Sequence, residues 1–558
     1  MFSLIDDPWI LALDLKGNQI SVGLGDIFAG EVRIAALQGD SPAQDYAVMR
    51  LLLAAFWKAH APESLVKAGE TFDFAMWFED SRNRLRRNGS DPLVLDYLAR
   101  FRDRFELFDK EYPFMQVADL HVASGELKHI TTIVPESQDS YFSMRAGSKR
   151  DSLSYEEAAR WLIYAQAFDY SGIKSGMVGD SRNKGGKGYP IGTGWTGMTG
   201  GTLVKGADLL ETLLLNTTLE SLTRAGDLPV WERPPDGPDS RVAMGGNPEP
   251  QGPADLATWQ SRRIRLVAEG NEVVGVVLGN GDKIPDAGAN VMDDPMTPYR
   301  FSTNKSKKGL DVYYPRPYDV ERTMWKALDA LVVAETDGGF SDKEKAPKRP
   351  KNLDSLAQLS ALGVDVPAVL NVDLVSIEYG PQASSVATTY ATQMSMPVVL
   401  LLTDAKHLRS KVREAAKATT NCAIALGRFA GQLLDAAGGS YEFQPPATDR
   451  VLAELEPRFN AWLDSLSAIS KEQAKNEQSP LGPLLEAWQK TVREVIGEHA
   501  RILLRGAGPK AFAGRIQRKD AEDKKGRVVS AASYYRMLLH TLDQELPLTV
   551  NNEKKVTV

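Results

Sequence analysis

The side chains best suited to metal or nucleophilic chemistry are few: six histidines (60, 121, 129, 407, 499 and 540) and one cysteine, Cys422. No histidine stands in a His-Glu-x-x-His pattern, and His121 and His129 are separated without a carboxylate cluster between them. One cysteine builds neither an intramolecular disulfide nor a cysteine-based zinc site. A phosphate-cradling P-loop needs Gly, four residues, then Gly-Lys-Ser/Thr. The stretch "SRNKGGKG" fails at both ends, because Ser181 replaces the first Gly and Gly188 follows Lys187. No Gly-x-Ser-x-Gly elbow occurs. Asp293 and Asp294, with His129, are the residues on which a dispersed, metal-dependent nuclease site could be built. Adjacent acids in a proline-flanked loop are more simply solvated, and each His more simply a surface or packing residue.

Other residues suit the holding of a polyanion. The segment 185–201 is dense in glycine, and Lys184 and Lys187 sit at its start. Glycine has no Cβ to obstruct approach, so bare backbone N–H groups can come close to a phosphate or a groove. The same composition also fits a flexible connector. In "GDKIPD" Lys283 stands alone in a turn, which in isolation reads as solvated. The run "KEKAPKRPK" (343–351) sets five basic residues against Glu344 and reads equally as a solvated loop. In "EYGPQASSV" Gly380–Pro381 signals a turn, which leaves Gln382 at the tip of a hairpin. Gln is not a usual turn former, but it is long and carries both donors and an acceptor.

The elements that must position these residues can be read from periodicity. Residues 8–28 alternate strand-like segments around a turn. Residues 41–60 form a helix behind a Ser41 cap, and 91–108 and 154–170 read as further amphipathic helices. The stretch 126–153 has little periodicity, and a loop of that length is usually functional or disordered. Segments before and after Gln382 are rich in β-branched residues and read as paired strands. Helices are expected over 207–222 and 319–335. After residue 403 four long amphipathic patterns follow, punctuated by Gly and Pro, and read as a four-helix bundle. The fold class is therefore α+β, with domains 1–403 and 404–558.

The chain has 558 residues, enough for more than one domain. Hydrophobic residues make up 43% and charged residues 25%, the balance of a globular protein. A net charge of −7 argues against a dedicated nucleic-acid binder but leaves room for local basic patches. The acidic start "MFSLIDDPWI", the single cysteine and the short apolar runs are expected of a soluble cytoplasmic protein.

Five features, in order along nearly the whole chain, resemble the CasA family. This is the large subunit of the type I-E Cascade complex, an RNA-guided DNA surveillance assembly. They are "LIDDPWI"; "YPFMQ" (112–116) before a long loop; "IGTGWTGMTGGTLVKG" (191–206); the hairpin "YGPQASS"; and the C-terminal bundle. The resemblance implies an N-terminal mixed α/β domain of unusual topology, no catalytic activity, and no cofactor. It implies recognition of the protospacer-adjacent motif (PAM) in double-stranded target DNA from the minor groove, followed by duplex opening. It implies other Cascade subunits, the 5′ end of the CRISPR RNA and a helicase-nuclease as partners, and no membrane. Gln382 matches the family's wedge, Lys283 its lysine finger, and 188–194 its glycine loop, with Gly188, Gly192, Thr193 and Gly194 as DNA-facing positions. The segment 131–150, with Gln138, Asp139 and Phe142, matches a loop that docks near the guide RNA, and is expected to be disordered in the isolated chain. Lys184 and Lys187 would add phosphate contacts. The chain departs from the family in carrying Pro381 where some members have Asn, and in lacking the Cys-rich zinc site of some members, so no structural metal is expected. A scaffold subunit whose bundle only binds other proteins is the remaining reading.

Overall fold

The computed structural model describes residues 2–62, 72–135, 150–242, 245, 249–319, 323–337, 345–475, 480–517 and 526–550. The chain divides into two compact units, Met1–Val320 with Val333–Met394, and Glu321–Val332 with Ser395–Val558. The architecture is the α+β arrangement expected from the sequence, mixed sheet and helix followed by a helical C-terminal region.

In the first unit, strands β1 (Ile10–Asp14), β2 (Gln19–Val22) and β3 (Ile34–Leu37) form an antiparallel sheet ordered β2-β1-β3. Helix α1 (Pro42–Ala59) starts at Ser41, whose Oγ accepts from the Gln44 N–H, with Pro42 in the first turn where no intrahelical N–H is needed. It is apolar nearly all round and runs through the core. Strand β4 (Leu153–Ser154) leads into helix α2 (Tyr155–Phe168), capped by Ser154 with Glu156 and Glu157 in its first turn. Next come the short hairpin β5 (Lys174–Ser175) and β6 (Lys187–Gly188), the one-turn helix α3 (Trp195–Met198), and β7 (Gly201–Lys205). The long strands β8 (Arg262–Glu269) and β9 (Glu272–Asn280) pair with β4 in the order β4-β9-β8. A second hairpin, β10 (Tyr299–Phe301) and β11 (Tyr313–Pro315), follows. Strands β12 (Val369–Tyr379) and β13 (Val386–Pro397) then join β7 in the order β13-β12-β7.

In the second unit, helix α4 (Thr323–Val332) is followed by α5 (Lys406–Ala436), α6 (Pro445–Ser465), α7 (Leu481–Gly506) and α8 (Ala531–Glu545). The four long helices fall where the periodicity places them. Helix α5 buries Leu408, Val412, Thr419, Leu426, Phe429 and Leu433 at helical spacing, against α6, α7 and α8. Phe459, Trp462 and Trp488 interlock, with the Phe459 ring centroid 5.0 Å from that of Trp488.

The division falls at Met394/Ser395 where the sequence places it at 403/404. The apolar run after Pro397 forms the short helix Val398–Leu401, which packs against Leu466–Ala468 in the second unit. Helix α4 also belongs there: its Trp325 ring lies 4.9 Å from Phe459, and Arg413 holds Asp329 at 2.8 Å. Two other expectations are corrected locally. The strand-like reading of 8–28 ends in a helix, Leu24–Ala29, and the helix expected over 91–108 stops at Arg100. Gln138, Asp139 and Phe142 lie outside the described residues, as does most of 131–150.

Candidate nucleic-acid interface

The β12–β13 hairpin carries Gln382 at its tip. Gly380 N–H donates to the Ser385 carbonyl and Ala383 N–H to the Gly380 carbonyl, closing a tight turn. Gln382 and Ala383 both take left-handed backbone, at φ 58° and 53°, which costs energy for residues with a Cβ. Pro381, Gln382, Ser384 and Ser385 are exposed. At the root of the hairpin the Tyr379 hydroxyl donates to the Phe168 carbonyl, 2.8 Å away, at the end of α2. Burial holds that phenol well above its ordinary range, so it stays a donor.

The glycine segment has two parts. In the β5–β6 hairpin, Gly185 and Gly186 both have positive φ, and Lys184 and Lys187 face each other through paired backbone hydrogen bonds of 3.0 and 3.3 Å. That is the backbone a two-residue hairpin turn requires, and it presents both lysines to solvent. The second part is 188–194. Gly192 (φ 99°) has open space where a Cβ would sit. Gly194 does not: a Cβ there would lie 2.6 Å from the Gln166 carbonyl oxygen and 2.7 Å from that of Ala167. Gly188 is buried beside the Asn280 amide. Gly194 is thus needed by the protein's own packing and Gly188 is tightly packed, while Gly192 and Thr193 remain partly open.

Lys283 is exposed between two buried neighbours, Asp282 and Ile284. Asp282 is fixed through its backbone, with N–H donating to the Gln260 carbonyl and C=O accepting from the Trp259 indole. Its carboxylate accepts from Arg241 Nε and Arg263 Nη2, both at 3.0 Å. Ile284 enters an apolar cluster with Trp195, Leu256, Trp259, Tyr299 and Tyr313. Lys283 is therefore a cation on a rigid mount.

Two of the features meet at the C-terminal end of α2, and the third is linked to them through Trp195. Gly194 packs on it, Tyr379 bonds to it, and a Cβ at Gly197 would lie 2.3 Å from the Tyr379 hydroxyl oxygen. Trp195, next to Gly194, shares the cluster that seats Ile284. Arg182 ties the lysine turn to the same place, donating to the Asn280 and Gly281 carbonyls at 2.7 Å each. Beneath the loop, Arg262 bonds the Asp169 carboxylate and donates to the carbonyls of Asp169, Tyr170 and Gly192. Lys174 also binds Asp169, at 2.7 Å. Burial pulls its ammonium below the ordinary range, and Asp169 works against that.

The acids proposed from sequence for metal chemistry have other partners. Asp294 is fully buried, 2.7 Å from Arg50, and accepts from the Trp195 indole at 2.5 Å. The Arg50 contact is an ion pair of charge, with no aligned hydrogen bond from Nη1. Asp293 pairs with Arg224 at 3.3 Å and exposed His129 with Asp151 at 3.4 Å. Among the described residues no group of three or more His, Cys, Asp or Glu side chains is arranged to hold a metal ion.

Sequence reasoning missed two sets of residues. One is the arginines Arg182, Arg241, Arg262 and Arg263 that hold the site. The other is the β10–β11 hairpin, whose loop exposes Lys305, Lys307 and Lys308. Its strands begin at Tyr299 and Tyr313, both in the cluster with Trp195 and Ile284. Lys307 and Leu310 close its tip around Gly309, which has φ 84°. The spacing Lys-x-Lys-Lys-Gly between aromatic strand residues was the available signal.

A family model for CRISPR-associated protein Cse1 matches residues 3–498. A CRISPR-associated protein CasA/Cse1 of Thermus thermophilus is 29% identical over 346 residues, which span 59% of this chain and 60% of that protein. The crystal structure of Thermobifida fusca Cse1 superposes with a TM-score of 0.82 at 32% identity, over 98% of each chain. Cse1 from Acidimicrobium ferrooxidans gives 0.75 at 25% identity, over 98% of this chain and 99% of that one. A chain of a CRISPR RNA-guided surveillance complex shares the fold, with a TM-score of 0.59 at 18% identity, over 90% of this chain and 99% of that one.

Proposed function

The chain belongs to the CRISPR-associated Cse1 family, and from that membership we propose that it is the large, non-catalytic subunit of a Cascade-type surveillance complex. In this reading it recognises the PAM in duplex target DNA and helps open the duplex. It then offers a landing surface for a helicase-nuclease, alongside the other subunits and the guide RNA, in the cytoplasm and without a cofactor. Among the described residues no helix is long and apolar enough to cross a membrane.

One observation carries the DNA reading. An exposed Gln at a rigid hairpin tip, an open glycine loop and a mounted lysine all rest on the end of α2 and the Trp195 cluster. The minor groove offers acceptors at A·T pairs and only a degenerate pattern overall. Backbone N–H groups near Gly192 and the Lys283 ammonium are donors suited to read it loosely. Gln382 is long enough to enter a base stack and polar enough to bond a base that has lost its partner. Unstacking costs a few kcal/mol per step, which the flanking contacts must offset. Lys184, Lys187, Lys305, Lys307 and Lys308 are exposed, and in this reading they meet phosphates.

The test is equilibrium binding of the reconstituted complex to duplexes with a cognate or a scrambled PAM. Lys283→Ala and Gly192→Asp are expected to abolish discrimination. Gln382→Ala is expected to keep PAM binding but slow strand opening, followed by a fluorescent base at the first target pair. Wild-type behaviour in all three variants would remove these residues from the interface.

A further inference from the structure

Resting on the reading above, we infer that two consecutive buried arginines, Arg262 and Arg263, are positioning residues that set the glycine loop and the lysine finger relative to one another. Both are buried: Arg262 is 1% exposed and Arg263 0%. They open β8, where successive side chains point to opposite faces of the sheet. Each face therefore receives one guanidinium fork.

On one face Arg262 reaches the loop. It bonds the Asp169 carboxylate and shares Nη2 among the carbonyls of Asp169, Tyr170 and Gly192, at 3.1, 2.9 and 3.0 Å. Fixing the Gly192 carbonyl inward leaves the following amide, that of Thr193, turned the other way, because the two groups of a trans peptide point in opposite directions. The arginine thus sets which side of the loop offers donors.

On the other face Arg263 reaches the finger. Its Nη2 donates to Asp282 at 3.0 Å, and its remaining donors hold the carbonyls of Gly237, Asp239 and Gln260. Asp282 precedes Lys283 directly, and Gln260 also accepts the Asp282 N–H. Burial opposes the nearby Asp236 carboxylate, but Arg263 and Arg233 bring it below its ordinary range.

A lysine at either position keeps the charge but loses the planar fork that spans several acceptors. The test places Arg262→Lys and Arg263→Lys in the full chain, reconstituted into the complex, with Lys283→Ala and Gly192→Asp alongside. The binding readout is the ratio of Kd values for scrambled-PAM and cognate-PAM duplexes. Each lysine variant is expected to lower that ratio about tenfold, with scrambled-PAM binding unchanged. Hydrogen exchange on the isolated chain should speed at 189–194 in Arg262→Lys and at 281–285 in Arg263→Lys, each without the other. A merely structural role would weaken both duplexes equally and speed exchange throughout β8 and β9, which would overturn the inference. Wild-type ratios in the lysine variants, with Lys283→Ala and Gly192→Asp still impaired, would overturn the inference alone. Wild-type ratios in all four would overturn the interface reading and this inference with it. Should Arg262→Lys not fold, Arg262→Gln and Arg263→Lys carry the same comparison.

Discussion

Asp294→Asn tests how the Trp195 anchor is built. Asp294 and Arg50 are 0% and 1% exposed, with the carboxylate 2.7 Å from Nη1. Their charge centres are about 4 Å apart, where an effective dielectric near 20 gives about 4 kcal/mol of attraction. Asn keeps the shape, but its single amide oxygen can accept from only one of the Trp195 indole and the Met296 N–H, which bond different carboxylate oxygens. It cannot balance the guanidinium, and a buried charge left without its partner costs about 3–5 kcal/mol. We expect Asp294→Asn to lose that much in urea unfolding and to lower Tm by about 4–6 °C. Adding Arg50→Met removes the stranded charge and should recover at least about 2 kcal/mol. A single variant within about 1 kcal/mol of the parent, or a double variant no better than the single, would refute the claim that this pair anchors Trp195. A divalent-metal-dependent nuclease activity lost in the variant would revive the reading of Asp293 and Asp294 as catalytic.

Gly194→Ala should destabilise by about 3 kcal/mol, because its Cβ meets two backbone carbonyls that cannot rotate away. Gly192→Ala, with open space but positive φ, should cost about 1 kcal/mol in the same melts, and a reversed order would contradict the packing described. Lys184→Ala with Lys187→Ala should make the slope of log K against log salt shallower by roughly 2 while leaving PAM preference intact, and a changed preference would mean these lysines read sequence. Burial pushes the Asp227 carboxyl up to about 6, against the donating N–H groups of Ala254 and Asp255. The folded state then binds the proton more tightly than the unfolded chain, so this contribution is full below pH ~4 and is lost as pH rises through ~6. Relative to Asp227→Asn, the parent's unfolding free energy should fall across that window and run parallel above it.

Elements with strong local signals were legible in the sequence. Ser41 caps its helix as its position suggests, and the four long C-terminal helices follow their apolar stripes. The hairpin tip was legible because Gly380–Pro381 is chemically a turn. What escaped depended on distant partners. Nothing local distinguishes Asp294, an ion-paired core residue, from a solvated acid, since Arg50 is far away in the chain. Gly194 and Gly192 look alike in a row of letters, but one abuts α2 and the other opens to solvent. Helix α4 reads as part of the first domain by order, yet Trp325 stacks on Phe459 in the second unit. In the sequence Lys283 is like any turn lysine; Arg241 and Arg263, distant in the chain, hold the residue before it.

The placement of Arg262 and Arg263 also bears on how this chain can change length. A sheet reverses faces at every residue, so a single residue inserted between them would put both forks on one face, and a single-residue slip of the strand would exchange their faces. Strand β8 does carry an irregularity, but between Val267 and Ala268, beyond the arginines. Bulges absorb single-residue changes. Insertions and deletions across related chains should therefore gather toward the Glu269–Glu272 end of the β8–β9 hairpin. The opposite end, from Ser261 to Leu266 and from Leu278 to Lys283, should keep its length even where its composition drifts.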